Sequence, residues 1–327
     1  MKLKHFALAM GMALSSGAAH ADALNLTLSG GSPGGLWSLL GAGMDRAAKV
    51  DDADAVITYQ ATGGGFANIG LLAAGRTALG LVHDAEIKLA LEGAEPFDAP
   101  ITNLQAIGYM YNWAPMHFFV TQALAEEHNL DSLDDLATSG APVTIGINRA
   151  GNITGDVALF MLEAAGLTEE ALVANGGELV RAGSREQGEL MQDGRIDMAT
   201  NGIFVKHSSF RAIDENVDVV LLSIPPEVIE ATNAAFGTSA FTIPGGSYSK
   251  QPDDVATMAL GAMVTASDAM DEATAYALAT AFVTNIEEIR SVHGAMGALT
   301  PELMVSQTVL PFHPGAERAY REAGLIE

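Results

Sequence analysis

Short apolar runs alternate with longer amphipathic stretches along almost the whole chain. Leu24 to Leu28, Ala55 to Tyr59, Leu79 to Val82, Gln105 to Tyr109, His117 to Thr121, Val143 to Ile147 and Val217 to Ser223 read as strands, and most intervals between them carry helical periodicity. In one interval Phe66, Ile69 and Leu72 recur at helical spacing and Gly75 supplies a stop. In another, Val157, Phe160, Met161 and Ala164 form the expected buried stripe. This alternation is the sequence form of an α/β fold with a largely parallel sheet.

Two places interrupt it. Pro115 to Thr121 leads past a helical pattern near Ser132 to Leu136 into a fresh strand–helix unit, and Thr242 to Tyr248 leads back to a strand-like Ala259 to Thr265. Both predict crossings between two lobes, residues 22–120 with 249–327 in the first and 121–248 in the second. The expected architecture is two mixed or parallel sheets flanked by helices, with a cleft between the lobes.

The first residues need a separate reading. Lys2 and Lys4 precede an apolar stretch from Phe6 to Leu14 and a small-x-small ending, Ala19-His20-Ala21, which predicts a signal peptide of residues 1–21 and export to the periplasm. The run is too short to span a bilayer. With no cysteine, the chain has no disulfide, thiolate metal site or lipid-modified cysteine. Acidic residues outnumber basic ones by 40 to 16, and loss of the two lysines would take the net charge from -24 to -26. That balance excludes nucleic acid as a partner, because a phosphate backbone would be repelled.

Three junctions share one design: a strand, a loop of Gly, Ser, Thr and Asn, then a helix. They are Ser29-Gly30-Gly31-Ser32-Pro33-Gly34-Gly35, Ala61-Thr62-Gly63-Gly64-Gly65, and Asn148-Arg149-Ala150-Gly151-Asn152-Ile153-Thr154-Gly155. Glycine lets backbone amides converge on a ligand, and a helix N-terminus offers unpaired N–H groups and a positive dipole end. Three such loops together predict a site for a small anion, a carboxylate or phosphate. Arg149 is the one cation in these loops and is able to fork onto a carboxylate. His83, at a strand end, can face the same cleft.

Other chemistries fit less well. No loop carries Gly-Lys-Ser/Thr or the GxGxxG spacing, which removes the common nucleotide-binding readings. Gly30-Gly31-Ser32-Pro33-Gly34 matches the G-x-S-x-G elbow of serine hydrolases, but the residue that must donate an oxyanion N–H is Pro33, which has none. A hydrolase using Ser32 therefore stays a remote alternative. His83, His117, His128, His207, His293 and His313 show no compact ligand spacing, so neither metal nor cofactor is expected.

At its loops the chain resembles the TAXI family of solute receptors that serve tripartite TRAP transporters. The likeness is carried by Gly30 to Gly35 with Trp37, by Thr62-Gly63-Gly64-Gly65-Phe66-Ala67-Asn68 with Leu79 to Val82, by Gly151 and Thr154, by Asp193 to Asp197, and by Leu310-Pro311-Phe312-His313-Pro314-Gly315 with Tyr320. The resemblance implies a type II-like periplasmic-binding-protein fold, no catalysis, and a monomer that captures glutamate, 2-oxoglutarate or a related carboxylate and docks on TRAP membrane subunits. It also implies ligand contacts from Ser32, Trp37, Thr62, Gly64, Gly65, Asn68, Gly151, Asn152, Thr154 and Asn201, to which the loop chemistry adds His83 and Arg149. A sensory or ABC-type binding protein is the alternative. Two positions depart from the family pattern: Gly65 and Asn152 stand where serines are usual. The C-terminal Pro311 to Pro314 segment reads as structural, with His313 packing rather than binding.

Overall fold

The computed structural model describes residues 24–307 and 309–327; the expected signal segment, residues 1–21, lies outside them. The first part of the chain supplies β1 (Asn25–Ser29), α1 (Leu36–Asp51), β2 (Val56–Gln60), α2 (Gly65–Ala73), β3 (Leu79–His83) and α3 (Asp84–Glu92). An 18-residue strand, β4 (Leu104–Thr121), then leads into α4 (Gln122–His128), α5 (Leu133–Ser139), β5 (Thr144–Ile147), α6 (Ile153–Ala164), α7 (Glu169–Ala174), β6 (Glu178–Arg181) and α8 (Ser184–Gln192). Next come β7 (Met198–Gly202), α9 (Ser208–Asn216), β8 (Val219–Leu221), α10 (Pro226–Phe236) and β9 (Ser239–Ile243). A second long strand, β10 (Val255–Ser267), returns to the first part, and α11 (Glu272–Thr284), α12 (Ile286–Arg290), a short 3-10 turn at Gly294–Ala298, α13 (Pro301–Met304) and α14 (Pro314–Glu322) finish the chain.

The strands form one curled sheet in the order β2-β1-β3-β10-β4-β7-β5-β6, with β8 on β4 and β9 on β10. It has two halves. In the first, β1 lies parallel to β2 and β3, and β10 runs antiparallel between β3 and β4. In the second, β5 lies parallel to β6 and β7, while β7 and β8 pair antiparallel with the end of β4. Residues 104–115 of β4 pair with β10, and residues 116–121 pair with β7 and β8, so one strand serves both halves.

Several expectations are corrected. The runs Gln105 to Tyr109 and His117 to Thr121 are not two strands but the two ends of β4. β8 spans only Val219–Leu221 because α9 continues to Asn216. β6 and β9 were not anticipated: their half-exposed residues give no sustained apolar run. The sheet is mixed rather than largely parallel, because both long strands run against their neighbours. In α6 Val157 and Met161 are buried as expected, but Phe160 is only half-buried and Ala164 is exposed; Ala158 and Leu162 complete the stripe instead.

β3, buried at all five positions, shows why the central strands stand out: a strand covered on both faces is apolar without alternation. α2 ends as its glycine predicts, with Gly75 in the left-handed region (φ 65°) and its N–H bonded to Leu72 O. The largest buried cluster runs from Leu28, Leu40 and Met44 through Tyr111 and Phe204 to Phe210 and Ile213, so the two halves share apolar packing beside the cleft. A second cluster, around Phe118, Ile145, Val157 and Met161, belongs mainly to the second half. No described helix is long and apolar enough to cross a membrane.

Candidate functional site

A small cavity of about 40 Å³ opens where the strand ends of both halves face one another. The first half contributes the β1–α1 loop at Gly31, Ser32 and Gly35, the first turn of α1 at Leu36 and Trp37, His83 at the end of β3, and Tyr111 of β4. The second half contributes Asn148 after β5, Asn152 and Thr154 at the start of α6, Ser184 at the start of α8, and Asn201 to Ile203 at the end of β7. Three helices of nine or more residues thus aim their N-termini at one space. Their first amides have no intrahelical acceptor and their dipoles favour negative charge.

The side chains are arranged as donors. Trp37 Nε1 donates to Tyr111 Oη at 2.9 Å, and among the described residues the phenol's own proton has no acceptor. Burial of this ring, at 1 % exposure, pushes the phenol's pKa far above its ordinary value of 10, so the hydroxyl remains a donor. Asn148 Nδ2 donates to Thr154 Oγ1 at 2.8 Å and to Asn201 Oδ1 at 3.3 Å, and Thr154 N donates to Asn152 Oδ1 at 3.0 Å. That network fixes the Asn201 amide with its oxygen satisfied and its Nδ2 unpaired, although the residue is only 3 % exposed. An orphaned buried donor costs about 1–3 kcal/mol unless something supplies the acceptor.

Behind the cavity lies Glu86 of α3, wholly buried. Its Oε2 accepts from His83 N at 2.8 Å and sits 3.2 Å from His83 Nδ1, while its Oε1 accepts from Ile153 N of α6 at 3.0 Å. The second contact joins the two halves through a carboxylate. Gly65 makes room for it, since a Cβ there would lie 1.6 Å from Glu86 Oε2. The His83 ring in turn lies 4.7 Å from the Trp37 ring.

Of the residues singled out in the sequence, Ser32, Trp37, His83, Asn152, Thr154 and Asn201 come together on the cavity wall. The others do not line it. Thr62 accepts from Gly64 N at 3.1 Å and lies against Gly30 O and Asn68 Oδ1, and the fully buried Asn68 donates through Nδ2 to Leu81 O at 2.7 Å. Gly64 (φ 133°) and Gly151 bring the second and third loops into backbone contact across the halves: a Cβ on Gly64 would be 2.5 Å from Gly151 O. Arg149 points outward to Glu186 at 2.6 Å, with both side chains about half exposed. This pairing holds the Glu186 carboxyl below its ordinary range. Asn201 lies within β7, opposite His117.

Sequence reasoning missed Tyr111, Ser184 and Glu86. Ser184 was accessible in principle, since Ala182-Gly183-Ser184 is a fourth junction of the same form. Among the described residues no lysine or arginine lines the cavity, and no cluster of three or more histidine or carboxylate side chains is placed to hold a metal ion. Among the described residues Ser32 has no hydrogen bond to a histidine ring. His313 accepts from Gly315 N at the start of α14 and bonds Met270 O at 2.9 Å, far from this site.

The NMT1-like family model matches residues 28–324. Among solved structures, MatC from Rhodopseudomonas palustris with bound malate aligns over 94 % of this chain and 100 % of its own, at 14 % identity and a TM-score of 0.58. PhnD1 from Prochlorococcus marinus in complex with methylphosphonate covers 92 % and 98 % at 11 % identity and a TM-score of 0.56. A Rhodopseudomonas palustris protein with adipate covers 92 % and 93 % at 14 % identity and a TM-score of 0.53. These likenesses show the fold, that of the periplasmic binding proteins.

Proposed function

Because the chain belongs to the NMT1-like family, we propose that it is a periplasmic solute receptor that closes two α/β lobes on a small carboxylate. It hands that ligand to the membrane subunits of a tripartite TRAP transporter of the TAXI type, and performs no chemistry on it. The observation that carries this reading is the donor set: the uncapped N-termini of α1 and α8, the Tyr111 hydroxyl and the unpaired Asn201 Nδ2 converge on one cavity. The malate and adipate bound to structural neighbours support the carboxylate class.

The lobes are residues 22–120 with 249–327, and 121–248; β4 and β10 are the crossings about which they move. Ligand favours closure because only the closed form brings donors from both lobes onto it. Glutamate and 2-oxoglutarate, brought forward by the TAXI resemblance, are the first ligands to try. A thermal-shift series with organic acids, sugars and cations tests the reading, since a ligand that binds only the folded state raises its melting temperature. At least one carboxylate should raise Tm while neutral sugars and cations do not. Indifference to every carboxylate would overturn it.

A further inference from the structure

Among the described residues the cavity wall holds one side chain able to carry a positive charge, and a buried carboxylate stands directly behind it. His83 ends β3 and lines the cavity at 3 % exposure. Its Nδ1 lies 3.2 Å from Glu86 Oε2. The Glu86 oxygens also accept two backbone amides, His83 N at 2.8 Å and Ile153 N at 3.0 Å, so the carboxyl acts as an acceptor toward the ring and Nδ1 carries a proton. The opposite nitrogen, Nε2, has no partner among the described residues, nor is it one of the buried polar atoms left without one. It therefore opens on the cavity that the ring lines. The Trp37 ring packs against the imidazole, centroid to centroid 4.7 Å at 36°, and holds its orientation.

The imidazole thus stands between two places for negative charge. On one edge is Glu86, wholly buried, whose one ion-pair partner among the described residues is His83. A buried carboxylate is costly unless paired. On the other edge is the cavity, where an anion would dock on the first amides of α1 and α8. A second negative charge there adds to the pull for a proton at Nε2. The other groups around the ring do not cancel that pull. Asp84 spends Oδ2 on Tyr109 Oη at 2.6 Å, Tyr111 keeps its proton because it is buried, and Asp156 of α6 feels the Glu86 charge. Trp37 of α1 and Ala262, the register partner of His83 on β10, bring no charge.

We infer that His83 is the counter-charge of the bound anion: the carboxylate is captured together with one proton, taken from solvent onto Nε2, and Glu86 is the positioning residue that holds the ring for it. The inference rests on the carboxylate-receptor reading above and adds a proton to it. Because the liganded form holds more protons than the free form, affinity falls as pH rises. The experiment is calorimetric titration from pH 6.5 to 9, on protein unfolded in guanidinium and refolded to strip any carried ligand. The probes are malate, pyruvate and 2-oxoglutarate, whose own carboxyls stay ionised over that range. Whichever binds should do so at least tenfold more weakly at pH 9 than at pH 6.5. A smaller change overturns the inference and leaves the receptor reading standing; silence toward all three at every pH overturns both. In His83→Gln the pH dependence should vanish, and its survival in that variant overturns the assignment to His83. Glu86→Gln keeps an acceptor for Ile153 but removes the charge behind the ring, so it should shrink the pH 9 to pH 6.5 ratio at least threefold. An unchanged ratio there overturns the role of Glu86. If His83→Gln does not fold, the wild-type profile and the Glu86→Gln ratio decide.

Discussion

Tyr111 and Trp37 divide a single task. The indole N–H is spent on the phenol oxygen, so the aromatic residue visible in the sequence orients a donor and the tyrosine supplies it. A Tyr111→Phe variant should therefore fold normally and bind its ligand about tenfold more weakly, the worth of one buried hydrogen bond; calorimetry checks this. Arg149→Ala should leave affinity within about twofold, because its guanidinium is engaged at the surface with Glu186. His117 and His207 give a pH signature of a different kind. Burial holds both imidazoles neutral, down to about 4 from an ordinary 6.5. Between those values the unfolded chain binds protons that the folded one refuses, so stability is flat above pH 6.5 and falls as pH drops toward 4. Melting curves across that range should show the fall, and a His117→Gln variant a shallower one. Six of the twelve site residues picked from sequence stand on the cavity wall; five are there because they lie where helices begin, and loop chemistry is local, while Asn201 is placed by strand β7. Tyr111 was hidden in an aromatic run that reads as core, and Glu86 in a helix whose sequence does not say which carboxylate turns inward.

The strands were legible where their residues form an apolar run, which holds for the half-exposed β1 and β2 as well as for buried strands. β3 and β5 are covered by neighbours and stand out as apolar runs, whereas β6 and β9 lie at the margins and resemble loops. β4 was read as two strands because the exposed Asn112 and then Pro115 interrupt its middle, yet pairing to β10 resumes beyond a register shift at Asn112 and Trp113 and keeps the strand continuous. The pairing of long strands is a tertiary fact that no local pattern encodes. At this scale the second loop and α3 act together. Gly65→Ser would press its Cβ into Glu86, so it should cost about 1–3 kcal/mol of stability by denaturant titration. Adding Glu86→Ala should recover much of that loss, and a double-mutant cycle reads the coupling directly.

Across the cleft the two halves meet through the Glu86–Ile153 hydrogen bond, the backbone approach of Gly63 and Gly64 to Ala150 and Gly151, and the apolar packing beside them. Glu86→Ala should therefore enlarge the radius of gyration of the ligand-free protein in small-angle scattering, and saturating ligand should reverse the change. The placement of β10 has a consequence in time as well as in space. The strand that separates β3 from β4 is made from residues 255–267, long after both of its neighbours have been synthesised. Until it arrives, the first half has two open edges and no finished core, and its closing pairings span more than a hundred residues of chain. Such distant pairing is slow to form. The first half of a nascent chain therefore stays open until β10 is made, and in a ribosome-stalled fragment ending before Val255 residues 25–115 should be digested by protease much faster than the second half, whose pairings and buried cluster are already in place.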